Sequence, residues 1–158
     1  MATDVSGNIK VVLGITETDA ADLSIPIDEI AISKTLSFTN GTGANQANCL
    51  YHDGFDLAAS ATKVIGVSAL VDKFGNSKTA TKIKAVYLYN GGDQTLTIEG
   101  GPLVADTSDK IKILAGGILV MVAPGSAGFG SATDMTITNT SGSNACNGIE
   151  VLVLGVTA

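Results

Sequence analysis

The chain has no arginine and no tryptophan, a single histidine, two cysteines and three prolines in 158 residues. Nine lysines face eleven aspartates and four glutamates, for a formal net charge of −6. Nucleic-acid recognition rests on basic patches whose arginines fork onto phosphate and guanine. Anionic membrane surfaces need similar clusters of cations. An acidic chain without arginine suits neither, so no nucleic acid and no membrane is expected as a partner. The longest apolar run, Gly116 to Pro124, has nine residues, about half of the ~18 that span a bilayer. Charged residues make up 15% of the chain and hydrophobic ones 45%, the reverse of a disordered composition. Met1 to Asn8 carries no basic stretch followed by an apolar one, so no secretory signal is expected. Cys49 and Cys146 are accordingly expected as two reduced thiols rather than a bridge.

The same scarcities thin out the chemistry. His52 is followed by Asp53, but neighbours in a strand point to opposite faces, which denies them a mutual hydrogen bond. One histidine and two distant cysteines do not supply a zinc site. Asp53–Asp56 and Asp106–Asp109 hold paired aspartates; turns whose aspartates bond their own backbone account for both better than calcium does. Ser60-Ala-Thr-Lys63 matches a Ser-x-x-Lys nucleophile pattern, without the companion motifs of that chemistry. Gly125-Ser-Ala-Gly-Phe-Gly130 lacks the Lys-Ser/Thr of a phosphate loop. Asn40-Gly-Thr42 and Asn139-Thr-Ser141 fit the glycosylation pattern but read as turns. With three tyrosines and four phenylalanines, aromatic platforms for sugars are scarce, and Tyr87 and Tyr89 are expected to pack in the core. No catalytic, cofactor-binding or metal-binding residue is assigned, and the chain is read as a non-enzyme without a cofactor.

What is abundant is Gly, Ala, Ser and Thr, together 67 of 158 residues. They punctuate short apolar runs, the pattern of an all-β domain rich in turns. Runs are expected at Ile9–Ile15, Ser24–Ile32 and Lys34–Thr39, then Cys49–Asp53 continuing to Leu57, and Lys63–Val67. Further runs follow at Thr81–Tyr89, Gln94–Glu99, Ile111–Ile113, Gly117–Ala123, Asp134–Thr140 and Gly148–Val156. Pro26 removes a ladder donor and predicts an edge strand or extended arm. The phase shift between Ile27 and Ile30 predicts a bulge, and Ala69–Gly75 one short helical turn. Both faces of Thr81–Tyr89 are apolar near its end, which predicts a central strand. About ten strands without a long helix give a single-domain β-sandwich, jelly-roll-like. Residues 1–45 form an N-terminal arm or peripheral strands, and residues 46–158 the sandwich core.

The order of these segments resembles a known family. Asp22-Leu-Ser-Ile-Pro-Ile-Asp28, Ser37-Phe-Thr-Asn-Gly-Thr-Gly-Ala-Asn-Gln-Ala-Asn48, His52-Asp53 and Leu57-Ala-Ala-Ser-Ala-Thr62 carry the likeness. Leu70-Val-Asp-Lys-Phe-Gly75, Lys82-Ile-Lys-Ala-Val-Tyr87 and Val151-Leu-Val-Leu-Gly155 extend it. Together, from about residue 9 to 156, they resemble the small β-rich accessory virion proteins of tailed bacteriophages, of the capsid decoration or cement type. The sequence departs from that pattern at Cys49 and Gly54-Phe55, where polar or basic residues are common. The resemblance implies a structural protein on the capsid surface, made in the host cytoplasm, with the major capsid protein as partner. It brings no site residues. Symmetric capsid positions make a homo-oligomer the expected state, with a trimer as its order. The alternative is a head-fibre or receptor-binding module that attaches to a host surface ligand.

Overall fold

A computed structural model describes residues 4–18, 27–104, 109–130 and 133–158. Its strands are β1 (Gly7–Thr18), β2 (Ile27–Asn40), β3 (Gln46–Ala47), β4 (Cys49–Leu57), β5 (Thr62–Ile65), β6 (Leu70–Val71) and β7 (Ser77–Lys78). They continue with β8 (Ala80–Asn90), β9 (Leu96–Gly100), β10 (Ile111–Ile113), β11 (Ile118–Val122), β12 (Met135–Asn139) and β13 (Cys146–Thr157). The only helical pieces among the described residues are 3-10 turns at Val67–Ala69 and Gly101–Leu103. The fold is all-β.

Two four-stranded antiparallel sheets form the body. The front sheet has the order β11-β8-β13-β4 and the back sheet β10-β9-β12-β5. Alternation sends one side of each strand into a shared core. Leu57, Val86, Leu88, Ile149, Val151 and Val153 enter it from the front, and Ile65, Leu96, Ile98, Ile113, Met135 and Ile137 from the back. The chain passes repeatedly between sheets, and its last two strands insert between earlier ones. β12 lies between β9 and β5, and β13 between β8 and β4. Both sheets therefore close only when the C-terminal strands are in place.

β8 lies inside the front sheet, where its two apolar faces place it. It also departs from simple alternation. Leu154 pairs with Ala85 and Gly155 with Ile83, leaving Lys84 as an extra residue. This bulge puts Ile83 on the same side as Val86 and Leu88 and turns Ala85 outward. Tyr87 and Tyr89 are consequently half-buried on the outer face, not in the core as alternation through Ile83 predicted. Gly128, at φ 61°, lies against the bulge so closely that a Cβ would collide with the Ile83 carbonyl.

The N-terminal strands build a long hairpin. β1 and β2 pair in uninterrupted register from Gly7↔Phe38 to Thr18↔Ile27. The bulge predicted between Ile27 and Ile30 is absent: a two-stranded ribbon with one face open to solvent has no core that dictates which side an isoleucine takes. The segments predicted as Ser24–Ile32 and Lys34–Thr39 are one strand from residue 27 onward, and Pro26 lies outside the described residues. The hairpin root packs on the outer face of the front sheet. There Val5, Phe38 and Ala47 join Ala85 and Leu154 in a second, smaller core, flanked by Ile9, Leu36, Val122 and Leu152. The helical turn predicted at Ala69–Gly75 is instead a tight β6–β7 hairpin. Its turn is closed by the Asp72 carboxylate, which accepts from the Phe74 and Asn76 backbone N–H groups at 2.9 Å each. An aspartate that ties up its own turn in this way competes with helix.

Candidate functional site

The paired residues His52 and Asp53 are separated by the pleat of β4. Tyr51, Asp53 and Phe55 lie on the side of Cys49 and Leu57, toward the core. Leu50 and His52 lie on the opposite side. Asp53 is fully engaged there: Tyr51 Oη donates to its Oδ2 at 2.9 Å and Lys63 Nζ at 2.6 Å. The Lys63 ammonium also lies 4.5 Å from the centroid of the Phe55 ring. β4 and β5 are edge strands of opposite sheets, so this cluster fastens the open side of the sandwich. The Lys63 hydrogen bond, ahead of an opposing burial effect, lowers the Asp53 pKa. Burial first, and then the bond to Asp53, raise that of Tyr51. Lys63, which the Ser-x-x-Lys spacing linked to Ser60, serves Asp53 instead. Ser60 sits at a left-handed turn, with φ 56°, and its hydroxyl donates to the Ser141 carbonyl.

The remaining sequence candidates resolve into structural contacts. Asp56 Oδ1 accepts from the Gly148 N–H at 2.8 Å, on the face away from Asp53. Asp106 lies outside the described residues, and Asp109 is exposed. Among the described residues, no three His, Cys, Asp or Glu side chains converge on a metal-sized site. Cys49 and Cys146 are buried and free. In the β4–β13 ladder Cys49 is paired with Gly155, whereas Cys146 is paired with Leu57. They stand at opposite ends, roughly 27 Å apart at ~3.4 Å per residue, far beyond the ~7 Å limit for a disulfide.

Two buried asparagines organise one end of the body. Asn90 Nδ2 donates to the carbonyls of Gln94, Ile113 and Leu114. Its Oδ1 accepts from Gly92 N–H and the Cys146 thiol. Asn139 Nδ2 donates to Leu57, Ala58 and Asn144 carbonyls, and its Oδ1 accepts from Ser141 N–H. Both end a strand, where the sequence reads only as turn asparagine. Gly125–Gly130 plays a related role near the bulge. The buried Lys84 ammonium donates to the carbonyls of Gly125 and Gly43, and burial without a carboxylate lowers its pKa.

Among the described residues, three surface features bear on recognition. The first is a groove of about 260 Å³ bordered by Leu50, His52, Lys73, Phe74 and Lys78, with Phe74 78% exposed. The second is a cleft of about 270 Å³ under the hairpin root, bordered by Ile9, Val11, Tyr87, Val120 and Leu152. The third is the hairpin itself. Cross-strand partners share a face, so Val11–Lys34, Leu13–Ile32 and Ile15–Ile30 form three successive rungs of one side, with Glu17 next along β1. The other side carries Lys10–Thr35, Val12–Ser33, Gly14–Ala31 and Thr16–Glu29. The ribbon is thus apolar on one face and mostly small or polar on the other. Val11, Leu13, Ile15, Ile30 and Ile32 are each 45–49% exposed. The stripe was visible in the sequence as alternation, but alternation alone does not tell a core strand from an arm. No known protein family, no curated protein and no solved structure gives a significant match to this chain.

Proposed function

We propose that this protein is a structural virion component that binds the outside of a phage capsid and stabilises the shell, as a decoration or cement subunit. The observation that carries the proposal on the structural side is the projecting hairpin, which offers an apolar stripe to an assembly. The sequence resemblance supplies the virion context. We read the strand order, with β13 and β12 inserted between early strands of each sheet, as a jelly roll, a scaffold of interleaved Greek keys. The acidic, arginine-free surface suits a position outside the shell, away from packaged DNA. In this reading the major capsid protein is the partner, the subunit acts as a homo-oligomer, and no catalysis or cofactor is involved.

The mechanism is mass action. A subunit that binds only the assembled shell stabilises it by about 2.7 kcal/mol per site at 100 times Kd. Capsids purified without the protein should melt at higher temperature once it is added, and the protein should co-pellet with them. Unchanged melting and no co-pelleting overturn the proposal. One observation favours the alternative of a head-fibre or receptor-binding module: the groove at Phe74 and His52, an exposed aromatic beside two lysines. Location at the tail or at a few fibre positions, with binding to host cells, would favour that alternative.

A further inference from the structure

The longest apolar run of the sequence, Gly116 to Pro124, contains β11, and β11 is an edge of the front sheet. Among the described residues the body has four such edges, β11 and β4 on the front sheet and β10 and β5 on the back. Three of them carry charge: β4 holds Asp53 and Asp56, β5 holds Lys63 and β10 holds Lys112. Charged side chains keep an open edge from pairing with another chain. β11, Ile118-Leu-Val-Met-Val122, has no charged residue, no proline and no register shift. Ile118 is 62% and Val120 39% exposed.

The ladder to β8 tells which backbone groups of β11 are left over. The Gly117 carbonyl accepts from Asn90 N–H at 2.9 Å, and Ala123 N–H donates to the Lys84 carbonyl at 2.8 Å. Both bonds continue the register of Ile118↔Tyr89 to Val122↔Ala85. Every second residue of an antiparallel strand bonds to a given neighbour. Between those two bonds, Leu119 and Met121 therefore face β8, while Ile118, Val120 and Val122 turn their N–H and C=O groups to the open edge. Among the described residues, no strand and no loop backbone bonds to that edge. We propose that two copies of this chain pair β11 to β11, antiparallel, about a two-fold axis at Val120, and so join their front sheets into one continuous sheet.

The occupant follows from the symmetry of the edge. The outward groups lie evenly about Val120, so Ile118 of each copy exchanges both bonds with Val122 of the other, and Val120 with its own counterpart. Leu119 lies opposite Met121 on the inner side, beside the core that Leu119 already flanks. No charge meets a like charge, which suits a chain of net charge −6, whose copies repel at most other approaches. Pairing β11 with β4 of another copy sets an uncharged strand against Asp53 and Asp56, and such a head-to-tail contact leaves an open edge at each end. The β11 pair closes on itself. Five residues span about 17 Å at ~3.4 Å per residue, a contact smaller than a standard interface, so association is reversible and belongs in the high-micromolar range. It strengthens where copies are held side by side. The pairing adds a contact surface to the homo-oligomer of the proposed function but rests on the edge alone, so a failure to bind capsids leaves it standing.

Sedimentation velocity across a concentration series, without capsids, tests it. The wild-type chain should pass from monomer to dimer as concentration rises through the high-micromolar range. Val120→Lys and Val120→Glu each put like charges on the axis, and should each weaken the dimer about fivefold, the scale of one directly opposed cross-strand pair. An equimolar mixture of the two variants should recover most of that loss as a heterodimer. Val64→Lys, at an exposed position on the β5 edge, should leave the dimer unchanged. Far-UV circular dichroism should match the wild type in all three. Amide exchange of the wild type gives a readout that needs no variant: Ile118, Val120 and Val122 should slow with concentration, while Leu119 and Met121, already bonded to β8, should not. A wild-type chain that stays monomeric at millimolar concentration overturns the proposal, and so does a trimer. A mixture that associates no better than its components, or five β11 amides that respond alike, overturns it too and moves self-association to another surface.

Discussion

The sandwich and the hairpin are made from the same kinds of residue but solve opposite problems. In the sandwich, Ile98, Ile137 and Ile149 are fully buried, loop carbonyls are gathered by Asn90 and Asn139, and the open edge is tied by Lys63 and Asp53. In the hairpin, Ile15, Ile30 and Ile32 alternate as cleanly, yet nearly half of each stays exposed. Burial of a large aliphatic side chain is worth ~1.5–3 kcal/mol. The sandwich has gained that within the chain; the hairpin beyond its root has not. Apolar periodicity reports that a face is to be covered, not that the same molecule covers it.

The comparison breaks most visibly in the core. Ile137→Ala, at the centre of the back sheet, should cost about 2–5 kcal/mol in chemical denaturation, while Ile32→Ala on the hairpin should change monomer stability by no more than about 0.5 kcal/mol. Asn139→Ala removes the donor that gathers the Leu57, Ala58 and Asn144 carbonyls, and should cost on the order of 1–3 kcal/mol. If it matches the effect of an exposed loop substitution, the asparagines are not what holds that end together. Gly128→Ala combines a left-handed backbone with a clash against Ile83, and should cost about 1–3 kcal/mol by thermal melting.

The smallest effect belongs to the tie across the open edge. Lys63 and Asp53 side chains are 33% and 35% exposed, so solvent screening limits the pair to about 0.2–1 kcal/mol. The Asp53 pKa lies below its unfolded value, so its contribution is present above the ordinary aspartate range and is lost as pH falls through the folded pKa. Wild type should therefore exceed Asp53→Asn in stability near neutral pH, and the gap should close in acid below about pH 4. A gap that persists in acid would assign the effect to lost packing instead of charge.

Much of the body was legible in the sequence because a core enforces alternation. Leu96 and Ile98 alternate into the core, and Thr81–Tyr89 lies inside its sheet as its two apolar faces predicted. Legibility failed where one residue changed the phase. The extra Lys84 in β8 put Ile83 on the opposite face from Ala85, so the core position of Ile83 does not carry over to Tyr87 and Tyr89. Asp72 closed a hairpin over a segment whose spacing resembled a helical turn. At the site level, His52 and Asp53 were separable in advance by strand geometry. The partnership of Asp53 with Lys63 joins residues on two different sheets, and no local pattern carries that. The hairpin face was readable rung by rung only after its register was known, because one step of slippage would exchange Leu13 and Ile32 for Val12 and Ser33.

Hydrogen exchange of the free chain and of the chain bound to capsids tests the division between a self-sufficient sandwich and an assembling hairpin most directly. In the free chain, amides of Val12–Thr16 and Glu29–Ser33 should exchange quickly, while those of β8, β12 and β13 are protected. On capsids the hairpin amides should slow markedly and the amides of β8, β12 and β13 should not change. Hairpin protection that is the same in both states, or sandwich protection that rises alongside it, would contradict the account.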